Sequence, residues 1–427
     1  MKPKSSDLGG LRFLLSYSWK NLSRHRKRTF ITASAIAVGL ALFLFLDAWL
    51  LGAEMDSQRN LRRYETSSAR VYHRDNWEVW ERLRLSNLIE DPDQVIQTIE
   101  DLGYAAAPRV SFQADAIFYE DPYPTDGSIT IRAFGIDTQA DNRVYSLENY
   151  VDQGRYPETG EYGALIGAGL ARTLGAEVGF PFTLVTRTRE GFYQTLDLVI
   201  TGIVNSPNPI VNRGNVYIPL DVVDRELQMA GAVTDINIQI SETENTRQAA
   251  QKIQEAIGQS RPELQTYPWE VIAADFLALS AAKSGGSSIM LLLVAIIAGV
   301  GISNTMLMAI FERIRELGTL RALGMRDKDI RTMFLLEAGG IGFIGSVIGL
   351  AVGSLLIAFV TYVGVDLSAI MGDIDMGYRI NGVMYGTWHP QAMIIAFFLG
   401  IFIAASVAYF PTRRALKMGI TDCLRDE

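Results

Sequence analysis

The sequence predicts a membrane protein with four transmembrane α-helices and a large α+β extracytoplasmic domain inserted between the first and second. Three observations predict it. Four runs of membrane length carry almost no charge, the stretch between the first two is as polar as a soluble domain, and that stretch mixes two-residue with 3.6-residue apolar periodicity. The 427 residues are 48% apolar and 20% charged, too apolar for a disordered chain, and the single cysteine, Cys423, excludes an intrachain disulfide.

The first run, residues 30–51, contains only Asp47 as a charge, and the second, 288–311, contains none. The third, 332–365, contains only Glu337, and the fourth, 391–410, none. Each reaches the roughly 20 residues needed to cross a bilayer core. The third is longer than needed, so its first turn, with Glu337, is expected to reach the aqueous side. Asp47 is expected at the outer interface.

Orientation follows from basic residues in the short flanks. Residues 1–29 hold eight Lys or Arg against the single acid Asp7, residues 312–331 hold six, and the tail 411–427 holds four. These are expected to be cytoplasmic, with both termini on that side. The loop 366–390 has only Arg379 and is expected outside. The remainder, 21 basic against 39 acidic residues, is net −18, which argues against nucleic acid as a partner. Residues 1–29 read as an uncleaved anchor with a weak amphipathic helix through Leu11, Leu14, Leu15, Trp19 and Leu22.

The insertion, residues 52–287, alternates like strand at 129–134, 195–204, 216–218 and 236–240. Helical spacing appears at 93–102, 170–174 and 246–257, with Thr246 as the expected N-cap. Its first and last segments are expected to continue the membrane helices as stalks. Pro207 and Pro209 lie in a turn-forming cluster that reads either as a projecting partner surface or as a plain connection. Trp77 and Trp80 read either as an exposed apolar surface for a substrate or partner, or as core.

The chemistry of catalysis is sparse. The histidines, at 25, 73 and 389, form no metal-ligand spacing, and no G-x-x-x-x-G-K-[ST] loop is present to cradle phosphates. No catalytic, cofactor or metal residue is assigned, and any ATP hydrolysis is expected from another polypeptide.

In the third span, Gly342, Gly345, Gly349 and Gly353 bring small residues to one face, for packing within the subunit or across a dimer. Between the second and third spans, Ile314, Leu317, Leu320 and Leu323 recur every three residues in a charged stretch, an apolar stripe suited to docking against protein.

That stretch runs Glu312-Arg313-Ile314-Arg315-Glu316-Leu317-Gly318-Thr319-Leu320-Arg321-Ala322-Leu323-Gly324. It resembles the signature E-R-x-R-E-[IL]-G-x-[LM]-R-A-x-G of an ABC transporter permease family at every position. The family includes lipoprotein-releasing permeases, macrolide-exporter permeases and the cell-division permease that activates cell-wall hydrolases. The resemblance extends to the whole expected topology, to the basic string Trp19–Thr29, and to Ala107-Pro108-Arg109-Val110, which with Asp91-Pro92 leans toward the lipoprotein-releasing branch. Gly179-Phe180 and Gly419-Ile420 depart from the family's usual Gly-Asp and Asp-Pro.

The resemblance implies a mechanotransmission device in a bacterial inner membrane. A cytoplasmic ABC ATPase dimer, using ATP and Mg, would dock on Glu312, Arg313, Arg315, Glu316, Leu317, Leu320, Arg321 and Gly324. A second permease copy or paralogue, a periplasmic carrier or adaptor, and a lipoprotein or hydrophobic substrate complete the expected partners. Glu337 would either couple the docking segment to the third span or simply favour a helix start.

Overall fold

The computed structural model describes residues 26–75, 85–120, 123–124, 128–312, 314–366, 378–380 and 382–418. The expected helix over Leu11–Leu22, together with Trp77 and Trp80, lies outside them. The chain divides into two compact units. One comprises Met1–Ala53, Ser280–Asp366 and Met384–Glu427, and the other Glu54–Leu279 and Leu367–Val383.

Among the described residues, three helices are long and apolar enough to cross a membrane: Thr29–Thr66, Asp327–Tyr362 and Pro390–Ala415. The expected second span, 288–311, lies within the continuous helix Ala274–Glu312. Packing among the three rests on small residues, which let helices approach where lipid offers no hydrophobic drive. A Cβ added at Gly345 would sit 2.9 Å from the carbonyl oxygen of Ala33, and one at Gly349 or Gly353 would sit 2.9 Å from Leu40 or Leu44. Gly342 faces the last helix instead, where an added Cβ would lie 2.7 Å from Ala404. The last helix returns a stripe of its own, with Ala392, Ala396, Gly400, Ala404 and Ala408 buried at four-residue intervals.

Glu337 departs from expectation. The third long helix starts at Asp327, with Asp327 and Asp329 in its first turn, so Glu337 is an interior residue and only 1% exposed. Asp47 Oδ2 lies 2.7 Å from His389 Nδ1, just before the last helix. Beside that pair, the Thr387 amide donates to the Ala48 carbonyl and the Gly386 amide to that of Val360.

In the second unit, strands β1 (Ala69–His73), β2 (Ala105–Glu120), β3 (Tyr123–Pro124), β4 (Ile129–Ile136), β5 (Val151–Gly154), β6 (Gly163–Gly167), β7 (Pro181–Arg187), β8 (Tyr193–Val204), β9 (Asn215–Pro219), β10 (Asp235–Gln239) and β11 (Leu264–Pro268) form one connected sheet. Two layers of organisation emerge. At one end the order is β11-β1-β10-β2, all antiparallel, with helix Pro92–Asp101 between β1 and β2 and helix Thr246–Gly258 between β10 and β11. That is a split βαββαβ, ferredoxin-like arrangement. The rest is inserted between its second and third strands.

The insertion closes on itself. β2 pairs β4, β4 pairs β9, β9 pairs β6, β6 pairs β8, β8 pairs β7, and β7 returns to β2. Closure of this ring leaves none of its six strands with a free edge along the paired segments. β2 belongs to both parts, because residues 105–109 pair β10 and residues 109–116 pair β4. Phe112, Ala114, Ala116 and Phe118 on alternate positions of β2 are buried in the same core cluster as Val95, Ile99, Ile253 and Ile257 of the two helices.

The helix expected over 246–257 runs Thr246–Gly258, but its N-cap is Asn245, whose side chain accepts from the amides of Arg247 and Gln248. Thr246 instead donates its hydroxyl to Glu270 Oε1 at 2.7 Å.

Candidate functional site

The segment singled out by its motif folds as helix Ile314–Ala322. Its end is a Schellman turn: the Met325 amide donates to the Leu320 carbonyl and the Gly324 amide to that of Arg321, with Gly324 at φ +91°. Leu320 and Met325 both pack on the cluster Ile330, Met333, Phe334, Ala415 and Leu416. The final Gly of the motif is therefore a backbone requirement, since L side chains avoid this φ.

The expected apolar stripe divides. Leu320 is half-buried and packs on the internal cluster, whereas Leu323 is 80% exposed. Arg321 also turns inward. Its Nε lies 3.2 Å from Asp327 Oδ1 and its Nη1 donates to the Met418 carbonyl at 2.7 Å, so both of these contacts are within the chain. Glu312, Arg315, Glu316 and Thr319 are exposed. Arg313 and the side chain of Leu317 lie outside the described residues.

In the second unit the sequence singled out Ala107-Pro108-Arg109-Val110 without a physical reason. The reason is a buried ion pair at the seam of the two sub-structures. Arg109, 2% exposed, directs Nε to Asp141 Oδ1 at 2.5 Å and Nη2 to Oδ2 at 3.0 Å. Its Cζ lies 3.6 Å from the Tyr145 ring centroid. Burial works against the charge, but the Asp141 carboxylate and the Tyr145 phenol oxygen raise the Arg109 pKa above its ordinary value.

Nearby, Arg70 donates to the carbonyls of Thr66 and Glu65 and to Tyr72 Oη, while burial pushes the Tyr72 phenol up to about 12, so it stays a neutral acceptor. Arg70, Arg109, Asp235, Phe134, Phe276 and Arg379 are among the walls of a cavity of about 210 Å³. Arg379 donates through Nε to Glu65 Oε2 at 3.1 Å, and its amide donates to Ser57 Oγ at 2.6 Å. Arg109 is paired with Asp141 and Arg379 with Glu65, while Arg70 is held by neutral oxygens, so the region is built as a bracing network.

The proline cluster is not a projecting loop. Ser206 and Asn208 are fully buried, the Ser206 amide donates to Asn212 Oδ1, and Asn208 caps helix Pro209–Gly214 through the Ile210 amide. Pro209 is the first residue of that helix, where a missing N–H costs nothing, and Pro207 is half-buried beside it. Among the described residues no cluster of His, Cys, Asp and Glu fits a metal.

Comparison with known proteins now bears on these features. Residues 29–256 match the family described as the MacB-like periplasmic core domain, and residues 288–420 match the FtsX-like permease C-terminal family. An uncharacterized ABC transporter permease of Methanocaldococcus jannaschii is 25% identical over 293 residues, covering 66% of this chain and 68% of its own. The macrolide export ATP-binding/permease protein MacB of Escherichia coli is 23% identical over 416 residues, covering 93% of this chain and 58% of that protein. The chain thus spans a little over half the length of the MacB relatives it matches. The crystal structure of the periplasmic region of MacB from Actinobacillus actinomycetemcomitans aligns with 52% of this chain and 97% of its own, at TM-score 0.36 and 14% identity. None of these matches singles out the lipoprotein-releasing branch. With one family match extending over more than half its length and a second over most of the remainder, the chain belongs to the MacB-like and FtsX-like ABC transporter permeases.

Proposed function

We propose that the chain is the membrane subunit of an inner-membrane complex with four crossings, residues 288–311 supplying the second, and with cytoplasmic termini. A partner ATPase hydrolyses ATP, and its motion drives the outer domain of two facing permeases to expel a hydrophobic compound or peptide. The observation that carries this reading is the two-sided cytoplasmic helix: one side is anchored to the long helices through Leu320 and Arg321, and the other leaves Leu323 in solvent. An apolar side chain held out on an anchored helix is what a partner's groove requires.

Lipoprotein release is the competing reading of the same machine. Its sequence support was the Ala107–Val110 string together with Asp91-Pro92, and the string is accounted for by the buried Arg109–Asp141 pair. Depletion of the chain followed by envelope fractionation separates the two. Export predicts normal lipoprotein sorting, and lipoproteins retained in the inner membrane would reverse the assignment.

Docking is tested by Leu323→Asp. The side chain is exposed, so folding is untouched, while a charge placed in an apolar groove removes an anchor of about 2 kcal/mol or more. Co-purifying ATPase is expected to fall by roughly tenfold or more. Retention of the ATPase at the wild-type ratio would show that this end of the helix does not dock.

A further inference from the structure

We infer that Arg321 is a positioning residue, the joint through which movement of the cytoplasmic helix reaches two long helices at once. The inference rests on the coupling role proposed above and goes beyond it by separating the residue that transmits motion from those that bind the partner.

The placement of its guanidinium carries the inference. Arg321 lies in the last turn of helix Ile314–Ala322. Nε points to Asp327, the first residue of helix Asp327–Tyr362, and Nη1 to the carbonyl of Met418, three residues past the end of helix Pro390–Ala415. One planar fork thus bridges a carboxylate at a positive helix end, which favours that anion, and a carbonyl beside a negative helix end, which favours the guanidinium itself. Only 16% of its side chain is exposed, against 51% for Asp327, so the contact with Met418 is on the sheltered side. Beneath the fork, Leu320 and Met325 seat on residues of the same two helices, Ile330, Met333 and Phe334 on one and Ala415 with Leu416 on the other. The apolar seat resists compression, and the directional fork resists sliding. A helix tied in this way cannot shift along the surface without carrying both long helices with it.

Lysine does not replace such a fork, because a single ammonium on a flexible stem cannot hold two acceptors in fixed directions. The complex of chain and ATPase is therefore compared as wild type, Arg321→Lys, Arg321→Met, Asp327→Asn and Leu323→Asp. Co-purified ATPase, ATP hydrolysis, and substrate moved per ATP are measured for each. Arg321→Met is expected to keep its ATPase at near the wild-type ratio and to hydrolyse ATP, while substrate moved per ATP falls about tenfold, the scale of losing a charge-assisted hydrogen bond. Arg321→Lys should fall in the same direction. Asp327→Asn, outside the cytoplasmic helix, should fall less but without loss of ATPase. The exchange Arg321→Asp with Asp327→Arg should recover little, since it puts a carboxylate against the Met418 carbonyl.

Loss of the ATPase from Arg321→Met to the extent seen with Leu323→Asp would overturn the inference and make Arg321 a docking contact. Wild-type yield per ATP in both Arg321 variants would overturn it as well. If Leu323→Asp keeps its ATPase while Arg321→Met is uncoupled, docking fails and the joint stands.

Discussion

Replacing Arg109 with alanine is expected to open the outer unit of the protein under conditions in which the wild type resists proteolysis and denaturant. The side chain is 2% exposed, and its partner Asp141 is fully buried. Truncation leaves a carboxylate with no counter-charge in a site walled by Tyr145, Phe134 and Tyr217, whose rings all lie within 5.6 Å of the guanidinium. Breaking a buried pair in this way costs about 3–5 kcal/mol. A domain of this size is stable by only about 5–15 kcal/mol, so the loss is a large fraction of the whole. Position adds to energy, because Arg109 is the residue of β2 at which pairing passes from Asp235 on β10 to Ile136 on β4. Hydrogen exchange should lose protection in both the ferredoxin-like end and the closed ring. The double replacement Arg109→Met with Asp141→Leu removes the charge problem at similar volume and should recover much of the stability. Wild-type protection in Arg109→Ala would show that the pair does not hold the seam.

That pair also marks the limit of what the sequence discloses. β4, β8, β9 and β10 were legible because each alternates or concentrates β-branched residues. β2, the strand that organises the domain, was not: its start, Ala105-Ala106-Ala107-Pro108, has low strand propensity and a proline. β6 is buried at all five positions, so it shows no alternation. The ferredoxin-like pairing was hidden for a different reason, since its two halves are separated in sequence by the whole inserted ring. Arg109 drew notice only by resemblance, because nothing local announces Asp141 thirty-two residues away.

The reading of helix Ile314–Ala322 failed more instructively. A three-residue repeat turns roughly 300° per step at 3.6 residues per turn, so it drifts about 60° each time. Leu320 and Leu323 are a step apart, and the drift together with the turn at Gly324 puts one inside and the other in solvent. A repeat of three was read as one face, where the geometry makes it a spiral.

The membrane helices were legible as lengths, and their faces only in part. The glycines of the third span were visible, but the matching Ala392, Ala396, Gly400, Ala404 and Ala408 of the last span were passed over as ordinary apolar sequence. Gly349 tests how much the close approach contributes. A Cβ there would already stand 2.9 Å from Leu40 Cβ, 3.0 Å from the Ala37 carbonyl oxygen and 3.1 Å from Ala37 Cα. Two of the three are backbone atoms, which cannot swing aside as a flexible side-chain tip does. Gly349→Leu must therefore separate the first and third helices and forfeit the dispersion contacts above and below, at Gly345 and Gly353, that hold them together in lipid. Overpacking of this kind costs about 1–3 kcal/mol, and more when several layers are prised apart. Gly349→Ala should show a smaller loss of the same sign. Gly339→Leu in the same helix is the control, since nothing lies within 4 Å of an added Cβ there, and it should be neutral to within about 0.5 kcal/mol. Thermal unfolding of the purified chain in detergent should rank the variants Gly339→Leu, Gly349→Ala, Gly349→Leu in decreasing stability. If Gly349→Leu is as stable as Gly339→Leu, the first and third helices are not held by close backbone approach, and the glycine stripe is left without a packing role inside the subunit.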